Sequence, residues 1–208
     1  MEGKYHAYNN VFEEWLKENI IEKVPLKGLY KSGCYLPHRG SFKENSTTKV
    51  RPVFDASNRK KGFSSLNDFL EKEPNNLELI PSLLVRFRQK SIGVISNIKR
   101  AFLQISIAEG DREYLRFLWW KDSESKEIQV FRHRRVVFGV TCSPFILGAV
   151  IRHHLESTCI ERKEIAEKLL RSFYVDNCVT SLDAESETQH FIEIASQLMQ
   201  NAKFELRG

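Results

Sequence analysis

The chain has 208 residues, enough for one domain or a domain of two lobes, with 41% hydrophobic, 28% charged and 11% aromatic residues, which excludes a disordered chain. No apolar run approaches the ~20 residues of a membrane-spanning helix, and the opening Met1-Glu2-Gly3-Lys4-Tyr5-His6 has no apolar stretch of the kind a secretory signal needs. Four scattered cysteines (Cys34, Cys142, Cys159, Cys178) make neither a disulfide framework nor a zinc cluster and fit reduced thiols, while a net charge of +5 permits a polyanionic partner without demanding one.

From the N-terminus, Phe12, Trp15, Leu16 and Ile20 recur at helical spacing and predict an amphipathic helix over residues 11–23, closed by Pro25 and Gly28. Residues 31–61 turn polar and basic. Within them Val50-Arg51-Pro52-Val53-Phe54 reads as a strand, and Pro52, which cannot donate to a ladder, assigns it to an edge or a bulge. Leu79, Ile80, Leu83, Leu84 and Phe87 form a second helical stripe with Pro81 in its opening turn. Residues 92–96 read as a buried strand. Residues 115–120 and 128–131 are β-prone, and the polar stretch 121–127 predicts a hairpin loop between them.

Ser143-Pro144 predicts a helix start, with Ser143 as N-cap, running to about residue 157. Phe173-Tyr174-Val175 and Cys178-Val179-Thr180 predict two short strands around an Asp176-Asn177 turn. A last helix over 185–201 puts Phe191, Ile194, Ala195 and Leu198 on one face, with Ser186 and Gln189 as its capping box. This mixed order with tight hairpins predicts an α+β fold, not a doubly wound parallel sheet. His153 and His154 are adjacent on a helix, point about 100° apart and cannot share a metal. Trp119-Trp120 reads as a strand with one buried face, and Lys60-Lys61 as a solvated turn.

Four segments carry candidate chemistry. They are Lys43-x5-Lys49-Val50-Arg51 through Ser57, Ser96-Asn97-Ile98-Lys99-Arg100-Ala101-Phe102, Phe138-Gly139 through Phe145, and Phe173-Tyr174-Val175-Asp176-Asn177. Their order and spacing resemble the reverse transcriptase domain of BEL/Pao-type LTR retrotransposons. Tyr35-Leu36-Pro37-His38, the run Val53 to Ser57, Ser65-Leu66-Asn67-Asp68 and Phe204-Glu205-Leu206-Arg207 match that family's wording, and the resemblance covers about residues 28–208.

The resemblance implies the fingers and palm of a right-hand polymerase, an antiparallel palm sheet backed by helices, without a thumb. It implies an N-terminal helical lead-in at 1–29 and a reverse transcriptase-like domain at 30–208, with fingers at about 30–75 and 105–141 and palm at about 76–104 and 142–208. The implied activity is RNA-directed DNA polymerisation, a nucleotidyl transfer that uses two magnesium ions ~4 Å apart, each held by hard anionic oxygens. The implied metal positions are Asn97, Asp176 and Asn177, where the family has three carboxylates; here only Asp176 is acidic. Lys99 stands where the family usually has Glu. Asn and Lys each lie one G-to-A codon change from Asp and Glu. Weak or absent magnesium binding and impaired catalysis are therefore expected.

The resemblance further assigns Lys43, Lys49 and Arg51 to the incoming triphosphate, Phe102 to a steric gate against a ribose 2′-hydroxyl, and Gly139 and Tyr174 to contacts with template and nucleotide. Implied partners are an RNA or DNA template-primer, a deoxynucleoside triphosphate and the rest of a retroelement polyprotein, with no membrane, in the cytoplasm or a virus-like particle. The family continues beyond the position of Gly208 into a thumb, a connection, RNase H and integrase. The alternative is a retained, non-catalytic palm that binds RNA or a protein partner.

Overall fold

Residues 2–43, 50–71, 79–121 and 127–208 are described by the computed structural model; Lys49 and most of the predicted loop at 121–127 fall outside them. In chain order the elements are α1 (Glu2–Lys17), β1 (Ile21–Lys23), β2 (His38–Phe42), β3 (Val50–Phe54), α2 (Leu66–Phe69), α3 (Leu79–Phe87), β4 (Ile92–Ile98), β5 (Arg116–Trp120) and β6 (Ile128–His133). Then come α4 (Ser143–Glu156), α5 (Lys163–Leu170), β7 (Phe173–Tyr174), β8 (Asn177–Leu182), α6 (Glu185–Asn201) and β9 (Leu206–Arg207). The sheets are antiparallel and the fold is α+β. Among the described residues, no helix is long and apolar enough to cross a membrane. Two compact units divide the chain: Met1–Glu71 with Ile105–Ser143, and Lys72–Gln104 with Pro144–Gly208.

The first unit holds a three-stranded sheet, β1-β6-β5, and a two-stranded ribbon, β2-β3. The helix predicted over 11–23 instead ends at Lys17. Asn19 takes a left-handed φ of 56°, which breaks the helix, and the β-branched pair Ile20-Ile21 then enters the pairing of β1 with β6. One face of this sheet packs on aromatic rings. Phe117 is fully buried, with Phe12, Phe54, Phe131 and His133 around it, their centroids 5.1–5.6 Å away. Trp119 stacks on Tyr5 and donates Nε1 to Asn9 Oδ1, while Trp120 is more exposed, so this strand has the one-sided burial read from sequence.

The opposite face carries charge. Glu22, Arg132 and Arg116 are cross-strand neighbours on β1, β6 and β5 and so share a face. Arg116 donates Nε and Nη2 to Glu113 Oε2 at 2.9 and 2.6 Å, and Nη2 also to the Gly28 carbonyl. Arg132 bridges the two acids, through Nη1 to Glu113 and through Nε to Glu22 at 2.7 Å. Burial alone would raise the Glu113 carboxyl, but the hydrogen bond from Arg116 and the charges of Arg132 and Arg116 hold it below the usual carboxylate range.

In the ribbon, Pro52 lies opposite Gly40 and Arg51 opposite Ser41, so the edge placement read from Pro52 holds. A capping pair opens α2, with the Ser65 N–H and hydroxyl both donating to Asp68 Oδ2 at 2.8 Å.

The second unit holds a four-stranded sheet in the order β7-β8-β4-β9. Val94, Ser96, Cys178 and Thr180 lie on its inner face. The strand predicted as buried at 92–96 is only half so: Ile95 is 61% exposed and shares an open face with Asn97 and Asn177. Ser143 does not cap α4 through its side chain; the hydroxyl donates instead to the Val137 carbonyl at 2.6 Å. At α6 the helix begins at Glu185, so Ser186 is already inside it. Glu187 reaches back to the Asp183 N–H, the role expected of Gln189, because it lies closer to the real start. Helix α5 was not read from sequence; it is eight residues long and its buried positions are few.

Candidate functional site

In the second unit, Asn97 is the penultimate residue of β4 and Asn177 the first of β8, and the two are direct antiparallel partners. The next ladder bond runs from the Ile98 N–H to the Asp176 carbonyl at 2.8 Å. All three residues therefore converge at one end of the sheet, although 79 positions of sequence separate Asn97 from Asp176.

The hairpin differs by one residue from its predicted form. Tyr174 pairs with Asn177, so the two-residue turn is Val175-Asp176, and Asn177 opens β8. Val175 has a φ of 57° while Asp176 does not have a positive φ, the sign pattern of a type II′ turn, where glycine is the usual first residue. A β-branched residue there is strained, by on the order of 1–3 kcal/mol. That shift leaves Asp176 in the turn, as expected, but moves Asn177 from the turn onto the strand.

The electrostatics of this end of the sheet follow from four further contacts. Asn177 donates Nδ2 to Asp176 Oδ1 at 3.2 Å, so the lone carboxylate is already partly satisfied by its neighbour. On the other flank of β4, Arg207 of β9 is the direct partner of Asn97. Lys99 Nζ and Arg207 Nε both reach Glu205, each at 2.9 Å. The Lys99 hydrogen bond, then that of Arg207, holds the Glu205 carboxyl below its ordinary range. Sequence reasoning named Lys99 but missed Arg207 as its counterpart; β9 is only two residues long and gives almost no periodic signal.

Two magnesium ions need several anionic oxygens converging on them. Asn97, Asp176 and Asn177 offer one carboxylate and two amides, one of which donates to that carboxylate, with Arg207 in register alongside. This donor set does not fit the pair of ions. Among the described residues, no group of three or more His, Cys, Asp or Glu side chains is placed to hold a metal.

Of the remaining predicted positions, Phe102 and Tyr174 belong to the second unit. Phe102 is half-buried on the 3-10 turn Ala101–Gln104, entered through a left-handed Arg100 just after β4, and Tyr174 is half-buried in β7. Lys43, Arg51 and Gly139 belong to the first unit. Arg51 projects from β3, exposed, and neither it nor Lys43 has an ion pair among the described residues. Lys49 lies outside the described residues.

Gly139 has a φ of 102°, and a Cβ there would stand 2.7 Å from the Phe54 carbonyl oxygen, so both conformation and space require glycine. Its loop is clamped by Asn67, whose Nδ2 donates to the Gly139 carbonyl at 3.1 Å and to Ser57 Oγ at 2.8 Å. The Thr141 N–H and hydroxyl both donate back to Asn67 Oδ1 at 3.0 Å. Asn67 was noted in sequence only as part of a family-like run; a single amide that saturates all its hydrogen bonds on Ser57 and on the loop of Gly139 and Thr141 leaves no periodic trace.

No family model matches the chain, and no curated protein matches it. Solved structures do. A foamy viral protease-reverse transcriptase bound to double-stranded DNA aligns with 95% of this chain at a TM-score of 0.67 and 16% identity, over 29% of its own length. The native protease-reverse transcriptase of prototype foamy virus aligns with 97% at a TM-score of 0.69 and 15% identity, over 23% of its own length. The chain thus has a retroviral reverse transcriptase-like fold and spans about a quarter of the length of these two proteins.

Proposed function

We propose that this chain is the fingers-and-palm portion of a reverse transcriptase from an LTR retrotransposon of the BEL/Pao type, with nucleotidyl transfer impaired at its metal site. The first unit corresponds to the fingers and the second to the palm. The observation that carries the reading is the convergence of Asn97, Asp176 and Asn177 at one end of an antiparallel sheet, on a reverse transcriptase-like fold. Like the foamy virus enzyme in its DNA complex, the chain would engage a template-primer duplex.

In that setting Arg51 is the residue best suited to a triphosphate, since its guanidinium is exposed and offers donors in a fork. Lys43 and Lys49 add point charge. Gly139 lets its loop close onto β3, since a Cβ there would meet the Phe54 carbonyl oxygen. Phe102 would stand against a 2′-hydroxyl, and Tyr174 flanks the turn that carries Asp176. The chemistry fails at the last step: an amide oxygen touches a cation but brings no net charge, and two unit charges ~4 Å apart are worth ~4 kcal/mol at an effective dielectric of ~20.

Primer extension on an RNA template, with magnesium and then manganese, tests the reading. No extension above background is expected with either ion; robust extension would overturn the claim of impairment. A second reading, a non-catalytic nucleic-acid-binding module, is favoured by the cations of Arg51 and Lys43, which have no ion pair among the described residues. It requires RNA binding that weakens steeply with salt and drops on Arg51→Ala.

A further inference from the structure

We propose that the charged face of the first unit's three-stranded sheet is a binding site for a phosphate-type oxyanion, entered through the cavity between Lys31, Ser32, Tyr114 and Arg132. This does not depend on the polymerase reading and uses none of its residues.

The first observation is an imbalance of charge. Two carboxylates, Glu22 and Glu113, serve four guanidiniums: Arg112, Arg132 and Arg134 at Glu22, and Arg116 and Arg132 at Glu113. Two positive charges are left over. Three of the four guanidiniums are held off the surface, with side chains 1%, 10% and 16% exposed at Arg116, Arg132 and Arg112, while Arg134 is 36% exposed. Both acids are already shared, so neither can neutralise the surplus. Charge withdrawn from water without a counter-ion is costly, and an anion would offset it.

The second observation is an opening. A cavity of about 370 Å³ lies over this network, lined by Lys31, Ser32, Glu109, Gly110, Glu113, Tyr114 and Arg132. Its size is that of a small-ligand site. Lys31 is exposed at its rim; its backbone N–H donates to the Gly28 carbonyl at 3.1 Å, its side chain has no ion pair among the described residues, and its charge acts on Glu113. Arg132 directs Nε and Nη1 to the two glutamates, which leaves Nη2 for a ligand. A lysine ammonium, an unclaimed guanidinium nitrogen and the Ser32 hydroxyl together suit an oxyanion with two negative charges. Glu109 on the rim works against the anion, and this makes the proposal sharply testable.

The test titrates the full chain with inorganic phosphate, by calorimetry and by thermal melting, against chloride at matched ionic strength. Saturable binding and a rise in melting temperature with phosphate alone are expected. Lys31→Glu, at an exposed position where folding is not at risk, should weaken binding about tenfold or more, and Glu109→Gln should tighten it several-fold. A 5′-phosphorylated oligonucleotide compared with its 5′-hydroxyl counterpart distinguishes the source. Preference for the phosphorylated strand assigns the site to a terminal phosphate; equal binding of the two, with phosphate still saturable, assigns it to the free ion. Equal responses to phosphate and chloride, or phosphate binding unchanged in both Lys31→Glu and Glu109→Gln, would overturn the proposal.

Discussion

In the first unit, ionised side chains are built into the structure: Arg116 is 1% exposed, and one sheet face is an ion network while the other is a packed array of rings. In the second unit the ion pairs Lys90–Asp183, Lys99–Glu205 and Arg207–Glu205 lie on the surface. Its buried polar groups are small and mostly neutral: Ser181 donates to the Arg86 carbonyl, Ser172 to the Lys168 carbonyl, and burial pushes the Cys178 thiol up to about 12. The contrast teaches where change is tolerated. Surface ion pairs are worth little, whereas a buried charge that loses its partner is expensive. Asn97, Asp176 and Asn177 lie on the open end of the forgiving unit, so the residues that matter most to the proposed chemistry matter least to folding.

Acid should separate the units most. His133 is 1% exposed, neither ring nitrogen has a hydrogen-bond partner among the described residues, and burial, reinforced by His38, pushes it down to about 3. Because the folded value lies below the ordinary 6.5, stability is complete above pH 6.5 and is lost as pH falls from there toward 3, by up to about 5 kcal/mol. Protonation of Glu113, also held low, adds to the loss. Trp15, Trp119 and Trp120 all belong to the first unit and Cys178 to the second, so tryptophan fluorescence and thiol labelling report on them separately once Cys34, Cys142 and Cys159 are replaced by Ser. Urea midpoints by fluorescence should fall between pH 6.5 and 4, and His133→Leu should flatten that slope. An equal slope in the variant would remove His133 as its cause.

Next in size is Glu113→Gln, which leaves Arg116 without its buried carboxylate and should cost about 3–5 kcal/mol by urea denaturation. Asp176→Asn should change stability by less than about 0.5 kcal/mol. Comparable losses from both would erase the distinction between the units.

Restoring acids at the open end sharpens the comparison further. The double variant Asn97→Asp with Asn177→Asp should be less stable than the parent without magnesium, because three carboxylates then crowd the hairpin. Magnesium at ~100 times its Kd should return about 2.7 kcal/mol, while the parent should shift little. Thermal melts of both proteins decide this, and a parent stabilised as much as the double variant would mean that Asp176 has carboxylate partners not recognised here. Smaller than the magnesium effect is that of Val175→Gly, which removes the left-handed strain and should stabilise the second unit by about 1 kcal/mol, measured as slower labelling of Cys178. Faster labelling would show that Val175 contributes more by packing than it loses by strain.

Much of this was legible beforehand. Strand β3, α3 and α6 were read with their observed limits because their apolar spacing is regular. The juxtaposition of Asn97 with the 173–177 hairpin followed from the resemblance to a family and not from local pattern. What escaped was set by tertiary partners. Ile20 fits a helical stripe as well as a strand, and only β6 decides between them. The Val175-Asp176 turn defeats residue preference, since an Asx pair is the better turn-former. Arg207, Asn67 and the surplus of arginines over glutamates emerge only when distant segments meet.

The ribbon of β2 and β3 carries a last consequence. In a two-stranded sheet each strand has one side without a strand partner, and such sides invite another extended chain to add on, the first step toward aggregation. Pro52 deletes one donor from β3, and exposed Arg51 sets a charge beside the gap. A segment that is strand-like by composition is thereby made a poor template for its own kind, which lets it stay extended, charged and available to a ligand while resisting self-association.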